Sequence, residues 1–144
     1  MDAILLDTTV VSLLHPKKKG NPIRAKYEAP TTGSILALSF QSVAELWSWA
    51  EENEWGERQR AGLEDFLRKF LVIPYDFELA KVWARVNALC KKKGRRLEAG
   101  DAWIVAIAVH RGIPLITHDL DQVGLAVEGL TVISYAMDNQ NSPT

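Results

Sequence analysis

At 144 residues, with 47% hydrophobic and 24% charged side chains, the chain has the makeup of one globular domain, not of a disordered or fibrous one. Its 17 basic and 18 acidic residues leave a formal charge of −1, which excludes a binder that relies on a strongly basic face. A single cysteine, Cys90, excludes an internal disulfide and any cysteine-rich metal site, and suits a reducing cytoplasm.

No segment approaches the ~20 apolar residues that a spanning helix needs. Asp2 stands where a signal peptide would carry positive charge, and the apolar run after it is short. The expectation is a cytoplasmic protein without membrane association: one domain over residues 1–137, then a polar tail over residues 138–144.

The first element is a buried strand over Ala3–Leu6, ending at Asp7. Thr8 to Leu14 reads as a short helix, stopped by Pro16 and Gly20, with Lys17, Lys18 and Lys19 in a solvated loop. Ser34 to Phe40 is a second apolar run, after which Ser42 opens a helix to about Asn53. Glu57 to Phe70 is a further helix with Leu63, Phe66, Leu67 and Phe70 on one face. Leu71 to Pro74 is a short strand. Asp76 then caps a long helix to Lys93, with Leu79, Val82, Val86 and Cys90 along its apolar stripe. Lys91, Lys92 and Lys93 before Gly94 suit a helix C-terminus, where cations offset the negative end of the dipole. Ala102 to Val109 is apolar almost all round and belongs inside. Ile113–Thr117 and Leu130–Ser134 complete the strands. Alternation of this kind specifies a parallel sheet with helices on both faces, a three-layer α/β/α domain.

In such sheets chemistry gathers at the carboxyl ends of the strands. Asp7 follows the first strand, Glu45 lies one turn into the helix after the second, and Asp119 follows the fourth. The order of elements brings these three to one edge, and Asp101 joins them if its helix N-terminus packs over that edge. Each acid also has a plain structural reading. Asp7 can cap the helix at Thr8, and Ser42-Val43-Ala44-Glu45 matches a capping box. Asp101 can complement a helix dipole, and Asp119-Leu120-Asp121 can open a turn. As a set they are harder to explain that way. Two like charges ~4 Å apart at an effective dielectric of ~20 repel by about 4 kcal/mol, so four carboxylates in one pocket need protons or a divalent cation. Oxygen-only ligands suit Mg²⁺ or Mn²⁺ and not zinc, and such a cation beside phosphate suits phosphodiester hydrolysis.

At these residues the sequence resembles the PIN-domain nucleases and, within them, the VapC-type toxins of bacterial and archaeal toxin–antitoxin pairs. The resemblance runs from about Asp2 to Tyr135. It rests on Ile4-Leu5-Leu6-Asp7-Thr8-Thr9, Ser42-Val43-Ala44-Glu45-Leu46, Asp101-Ala102-Trp103-Ile104-Val105-Ala106 and Leu115-Ile116-Thr117-His118-Asp119-Leu120-Asp121, in that order. It implies that Asp7, Glu45, Asp101 and Asp119 are the metal-binding, catalytic acids. Thr9 matches a small polar residue near the first acid, and Thr117 the hydroxyl before the last. The implied activity is endoribonucleolytic cleavage with Mg²⁺ or Mn²⁺, by a homodimer held in check by a cognate antitoxin protein. Two positions depart from the pattern. Gln122-Val123 stands where an aromatic is common after Asp121, so Asp121 is expected to support the ligands without being one. His118 fits loosely, and is expected to be a solvent-exposed turn residue.

For RNA contact the best candidates are Arg95 and Arg96, just before Glu98 and Asp101, the alternative being a solvated loop. Trp47, Trp49, Trp55, Trp83 and Trp103 can stack bases, but their helical positions assign most of them to the core or a dimer interface. Cys90 is expected to be inert packing. Two other functions fit less well: a PIN-type ribonuclease of RNA maturation without an antitoxin, and a non-enzymatic α/β regulatory domain whose acids bind a cation. A phosphoacceptor domain of the latter kind needs a lysine after a late strand, and Leu130 to Tyr135 contains none.

Overall fold

Strands buried on both faces are near-continuous apolar runs, and the strands of this chain are of that kind. The computed structural model, which describes residues 2–119 and 125–135, places β1 at Ala3–Leu6, β2 at Ile35–Ser39, β3 at Leu71–Ile73, β4 at Leu115–Ile116 and β5 at Val132–Ile133. The order across the sheet is β3-β2-β1-β4-β5, and every pair is parallel. Because side chains alternate along a strand, Leu5, Ala37 and Leu115 face one core, and Ile4, Leu6, Leu38 and Ile116 face the other.

Helices α1 (Thr8–Leu13), α2 (Pro22–Thr31), α3 (Phe40–Glu52) and α4 (Glu57–Leu67) send Val10, Val11, Tyr27, Leu46, Ala50, Leu63, Phe66 and Leu67 into the second core. Helices α5 (Phe77–Lys92) and α6 (Ala99–Arg111) fill the first. The expected three-layer α/β/α arrangement is what the chain adopts. Asp76 caps α5 through a bond from the Leu79 amide at 2.7 Å, and the Leu79, Val82, Val86 and Cys90 stripe is buried as expected. Residues 104–108 of α6 are all buried, so each large aliphatic there contributes about 1.5–3 kcal/mol of burial. That helix stops at Gly112, whose φ of 64° is one that a side-chain-bearing residue rarely adopts.

Three local differences matter. The stretch before Gly33 carries α2, which the sequence reading left unassigned. Asn21 Oδ1 accepts from the Ile23 amide at 2.9 Å and Pro22 opens the helix, a polar-looking entry with only Ile23 and Tyr27 as strong apolar signals. Helix α3 begins at Phe40, not Ser42: the Ser39 hydroxyl accepts from the Gln41 amide at 3.0 Å and caps it there. Strands β4 and β5 have two residues each instead of five. The expected tail over residues 138–144 lies outside the described residues. No helix among the described residues is long and apolar enough to cross a membrane.

Candidate active site

Asp7 leaves β1 into the edge of the sheet and is 3% exposed. Its Oδ1 accepts from the Val10 amide at 2.8 Å, so it does cap α1. Its Oδ2 accepts from the Thr117 hydroxyl and from the His118 amide at 3.3 Å. Capping therefore occupies only one of its oxygens, and the other binds the turn after β4. Burial pushes the Asp7 carboxyl above the ordinary 3.8. The bonds from Thr117, Val10 and His118 pull it down, and the charge on Asp119 pushes it up again.

Glu45 stands half-buried on α3, and the proposed capping box around it is not formed. With Ser39 as the cap, Ser42 falls inside the helix, where its hydroxyl pairs with that of Thr8 at 2.8 Å and ties α3 to α1. The α3 segment thus offers Glu45 to the cleft instead of to its own helix end. A Cβ on Gly100 would lie 2.6 Å from Glu45 Oε1, so a side chain there would force the Glu45 carboxylate to shift.

Asp101 is in that first turn, and the structure brings it to the same edge as the other three. Its carboxyl is pushed up to about 6, first by burial, then by the charges of Asp119, Glu98, Asp7 and Glu45 in that order. Asp119 is half-buried in the turn after β4, with its amide bonded to the Thr117 hydroxyl at 3.0 Å. Asp7, Thr8, Thr9, Glu45, Trp49, Glu98, Gly100, Asp101 and Asp119 line one cleft of about 170 Å³. All four acids singled out from the sequence are there, together with Thr9.

The donors fit a hard divalent cation in kind: carboxylates from separate elements, with hydroxyls beside them and no sulfur or imidazole in the lining. They fit it in charge as well, because the neighbouring carboxylates add to burial in raising the Asp101 pKa, a penalty that a cation would relieve. They are not drawn together: among the described residues no three histidine, cysteine or carboxylate groups converge closely enough to hold an ion as they stand.

Glu98 and Gly100 escaped the sequence reading as site residues, the glycine beside Asp101 being the one usable signal; Thr8, within the first motif, and Trp49, named for base stacking, were not expected in the lining. His118 is not the exposed turn residue expected. It is half-buried, and its Nδ1 lies 2.5 Å from the Tyr27 hydroxyl. Arg96 lines a neighbouring cavity with Leu97, Glu98, Asp101 and Asp119, and Arg95 is exposed beside it. Asp121 lies outside the described residues. Trp83 and Trp103 pack on each other at 5.5 Å, half-buried against the first core, whereas Trp49 is 40% exposed at the mouth of the cleft. Trp49 also borders a larger, mostly apolar groove of about 630 Å³ between α1, α3 and α4, entered past Lys17 and Lys18. Size does not make that groove the reaction centre, since its lining holds no carboxylate.

Comparison with known proteins agrees with this geometry. The chain is 28% identical over 116 residues to the ribonuclease VapC2 of Haemophilus influenzae, covering 81% of this chain and 86% of that protein. It is 31% identical over 137 residues to the plasmid stability protein StbB of Pseudomonas syringae pv. tomato, covering 91% and 96%. The structure superposes on a chain of the DNA-bound VapBC complex of Salmonella typhimurium with a TM-score of 0.76 and 26% identity, covering 94% and 99%. The PIN domain family model matches residues 4–127, which include Asp7, Glu45, Asp101 and Asp119. With the sheet order, the acidic edge and this match in agreement, the chain belongs to the PIN-domain family, as its resemblance to the VapC-type toxins implied.

Proposed function

We propose that this protein is a divalent-cation-dependent endoribonuclease and the toxin of a two-protein toxin–antitoxin pair. The observation that carries the reading is the convergence of Asp7, Glu45, Asp101 and Asp119 from four elements on one cleft, where burial and then the neighbouring charges raise the Asp101 pKa. Similarity to the ribonuclease VapC2 supports RNA as substrate, and similarity to a chain of a VapBC complex supports an antitoxin partner. Asp7, Glu45, Asp101 and Asp119 would hold Mg²⁺ or Mn²⁺. What a bound cation supplies at such a site is neutralisation of phosphate charge and acidification of water. Thr117 and the His118 amide fix the Asp7 carboxylate, and Gly100 leaves room for Glu45. Thr9 borders the cleft and Asp121 is assigned a supporting role by its place in the sequence. Arg96, with Arg95 beside it, contacts RNA phosphates next to the acids, where a cation offsets the repulsion between substrate and carboxylates.

The test is incubation of purified protein with structured RNAs in Mg²⁺, in Mn²⁺ and in chelator. Cleavage is expected with either metal, and none in EDTA or with Asp101→Asn, whose circular dichroism stays that of a folded protein. Undiminished cleavage in EDTA, or by that variant, ends the metal-nuclease reading. Expression of the chain alone should slow bacterial growth, and the adjacent small gene should relieve it. Active enzyme with no growth effect at good yield favours the RNA-maturation alternative.

A further inference from the structure

Helix α2 contributes no residue to the acidic cleft, yet one of its side chains reaches the turn that builds it. Tyr27 is fully buried, and its hydroxyl lies 2.5 Å from His118 Nδ1. The same oxygen accepts from the Tyr135 amide at 3.1 Å, just after β5. The Tyr27 ring meets both the His118 and the Tyr135 rings edge-on, each at 5.4 Å. A phenol oxygen removed from water is held where its partners are, so this contact has a defined geometry.

What it holds is the turn after β4. Strand β4 ends at Ile116, and the Thr117 amide bonds Ile133 O on β5 at 3.1 Å. Beyond it, the turn is tied through side chains: the Thr117 hydroxyl and His118 amide to Asp7, the Asp119 amide to Thr117, and the His118 ring to Tyr27. His118 is thus gripped through its amide by a cleft carboxylate and through its ring by the core. Asp119 is the next residue along.

We propose that Tyr27 is a positioning residue of the active site, acting through the His118 ring to hold the turn that presents Asp119 to the cleft and two donors to Asp7. The claim rests on the nuclease reading above and adds to it a residue that touches neither metal nor RNA. Groups that orient a metal ligand from behind commonly change affinity or activity by about 10–100-fold when removed.

Tyr27→Phe removes the oxygen and keeps the ring. It should weaken Mn²⁺ binding, read from the free-Mn²⁺ EPR signal without RNA, by about tenfold, and lower kcat by a similar factor with KM for RNA unchanged. His118→Ala breaks the same contact from its other end and serves if the phenylalanine variant does not fold; it should give the same loss. Combined, the two should cost no more than one. Thr31→Val is the structural control, because the Thr31 hydroxyl bonds the Tyr27 and Glu28 carbonyls on the same helix. It should lower Tm and leave Mn²⁺ affinity intact. Wild-type Mn²⁺ affinity in Tyr27→Phe or in His118→Ala, or losses that multiply in the double variant, would overturn the proposal. If the wild-type protein neither binds Mn²⁺ nor cleaves RNA, the nuclease reading fails separately. The positioning claim is then decided by the amide resonances of Thr117, His118 and Asp119. Movement in Tyr27→Phe but not in Thr31→Val supports it, and equal spectra overturn it.

Discussion

Asp101→Asn is predicted to stabilise the metal-free protein at neutral pH while destroying its function. In the folded state the Asp101 carboxyl is raised from 3.8 to about 6. At ~1.4 kcal/mol per pH unit, that difference corresponds to about 3 kcal/mol against the ionised form. Asp101 is half-exposed, so solvent screening reduces the figure to about 1–1.5 kcal/mol. The charge also gains ~0.3–0.5 kcal/mol from the N-terminus of α6, which asparagine forgoes, leaving a net gain of about 1 kcal/mol. The sign follows from linkage. Below 3.8 the group is protonated in both states and no penalty exists; the penalty grows as pH rises from 3.8 to about 6 and is complete above. The variant should therefore melt about 3–5 °C above the wild type at pH 7.5 in chelator, and within a degree of it near pH 3.5. Mn²⁺ should reverse the order: at ~100 times its Kd a site-binding ion adds about 2.7 kcal/mol to the wild type, and less to the variant. Thermal melts of both proteins at the two pH values, in chelator and in a Mn²⁺ series, decide the matter. Equal melting at pH 7.5 with equal response to Mn²⁺ would refute the crowded-carboxylate argument and leave Asp101 as a helix-dipole residue.

Thr117→Val leaves the buried Asp7 Oδ2 one donor short and should cost about 1–3 kcal/mol by urea denaturation. Since the lost bond lowers the Asp7 pKa, the cost should be larger at pH 7 than at pH 4. Gly100→Ala should leave Tm unchanged or raised, because alanine gains up to ~1 kcal/mol over glycine in a helix. Its methyl meets Glu45 Oε1, so RNA cleavage should fall about tenfold or more; unchanged cleavage would remove Glu45 from the machinery. The homodimer expected from the family resemblance has a candidate surface where Leu71, Val72, Tyr75 and Phe77 are exposed together around the sheet-edge strand β3, Phe77 by 70%. Phe77→Ser should therefore halve the mass seen by light scattering at micromolar protein, and an unchanged dimer mass would place the interface elsewhere.

The chemistry of the cleft accounts for which residues were visible beforehand. Asp7 and Asp119 sit at the ends of apolar runs, and a strand end has a fixed place in a parallel sheet, so their meeting follows from topology. Glu45 and Asp101 are on helices, where the convergence depends on how each helix packs. The packing of α6 against α3, close at Gly100, brings Asp101 to the others.

Local pattern alone determined the three-layer plan, the strand order in the chain, the cap at Asp76 and the buried character of residues 104–108, because periodicity and burial are statements about neighbouring residues. It erred where two local readings compete. Ser39 and Ser42 both suit a helix N-terminus, and Ser42 lost because its hydroxyl pairs with Thr8, 34 residues away. Helix α2 and its Tyr27 were illegible because a segment whose strong apolar signals are only Ile23 and Tyr27 buries a phenol when His118, 91 residues on, and Tyr135, 108 residues on, supply its partners. Tertiary structure decided the long-range contacts in which a polar atom was taken out of water, such as Thr8–Ser42 and Thr117–Asp7, since desolvation there is repaid only by a partner that folding itself brings into reach.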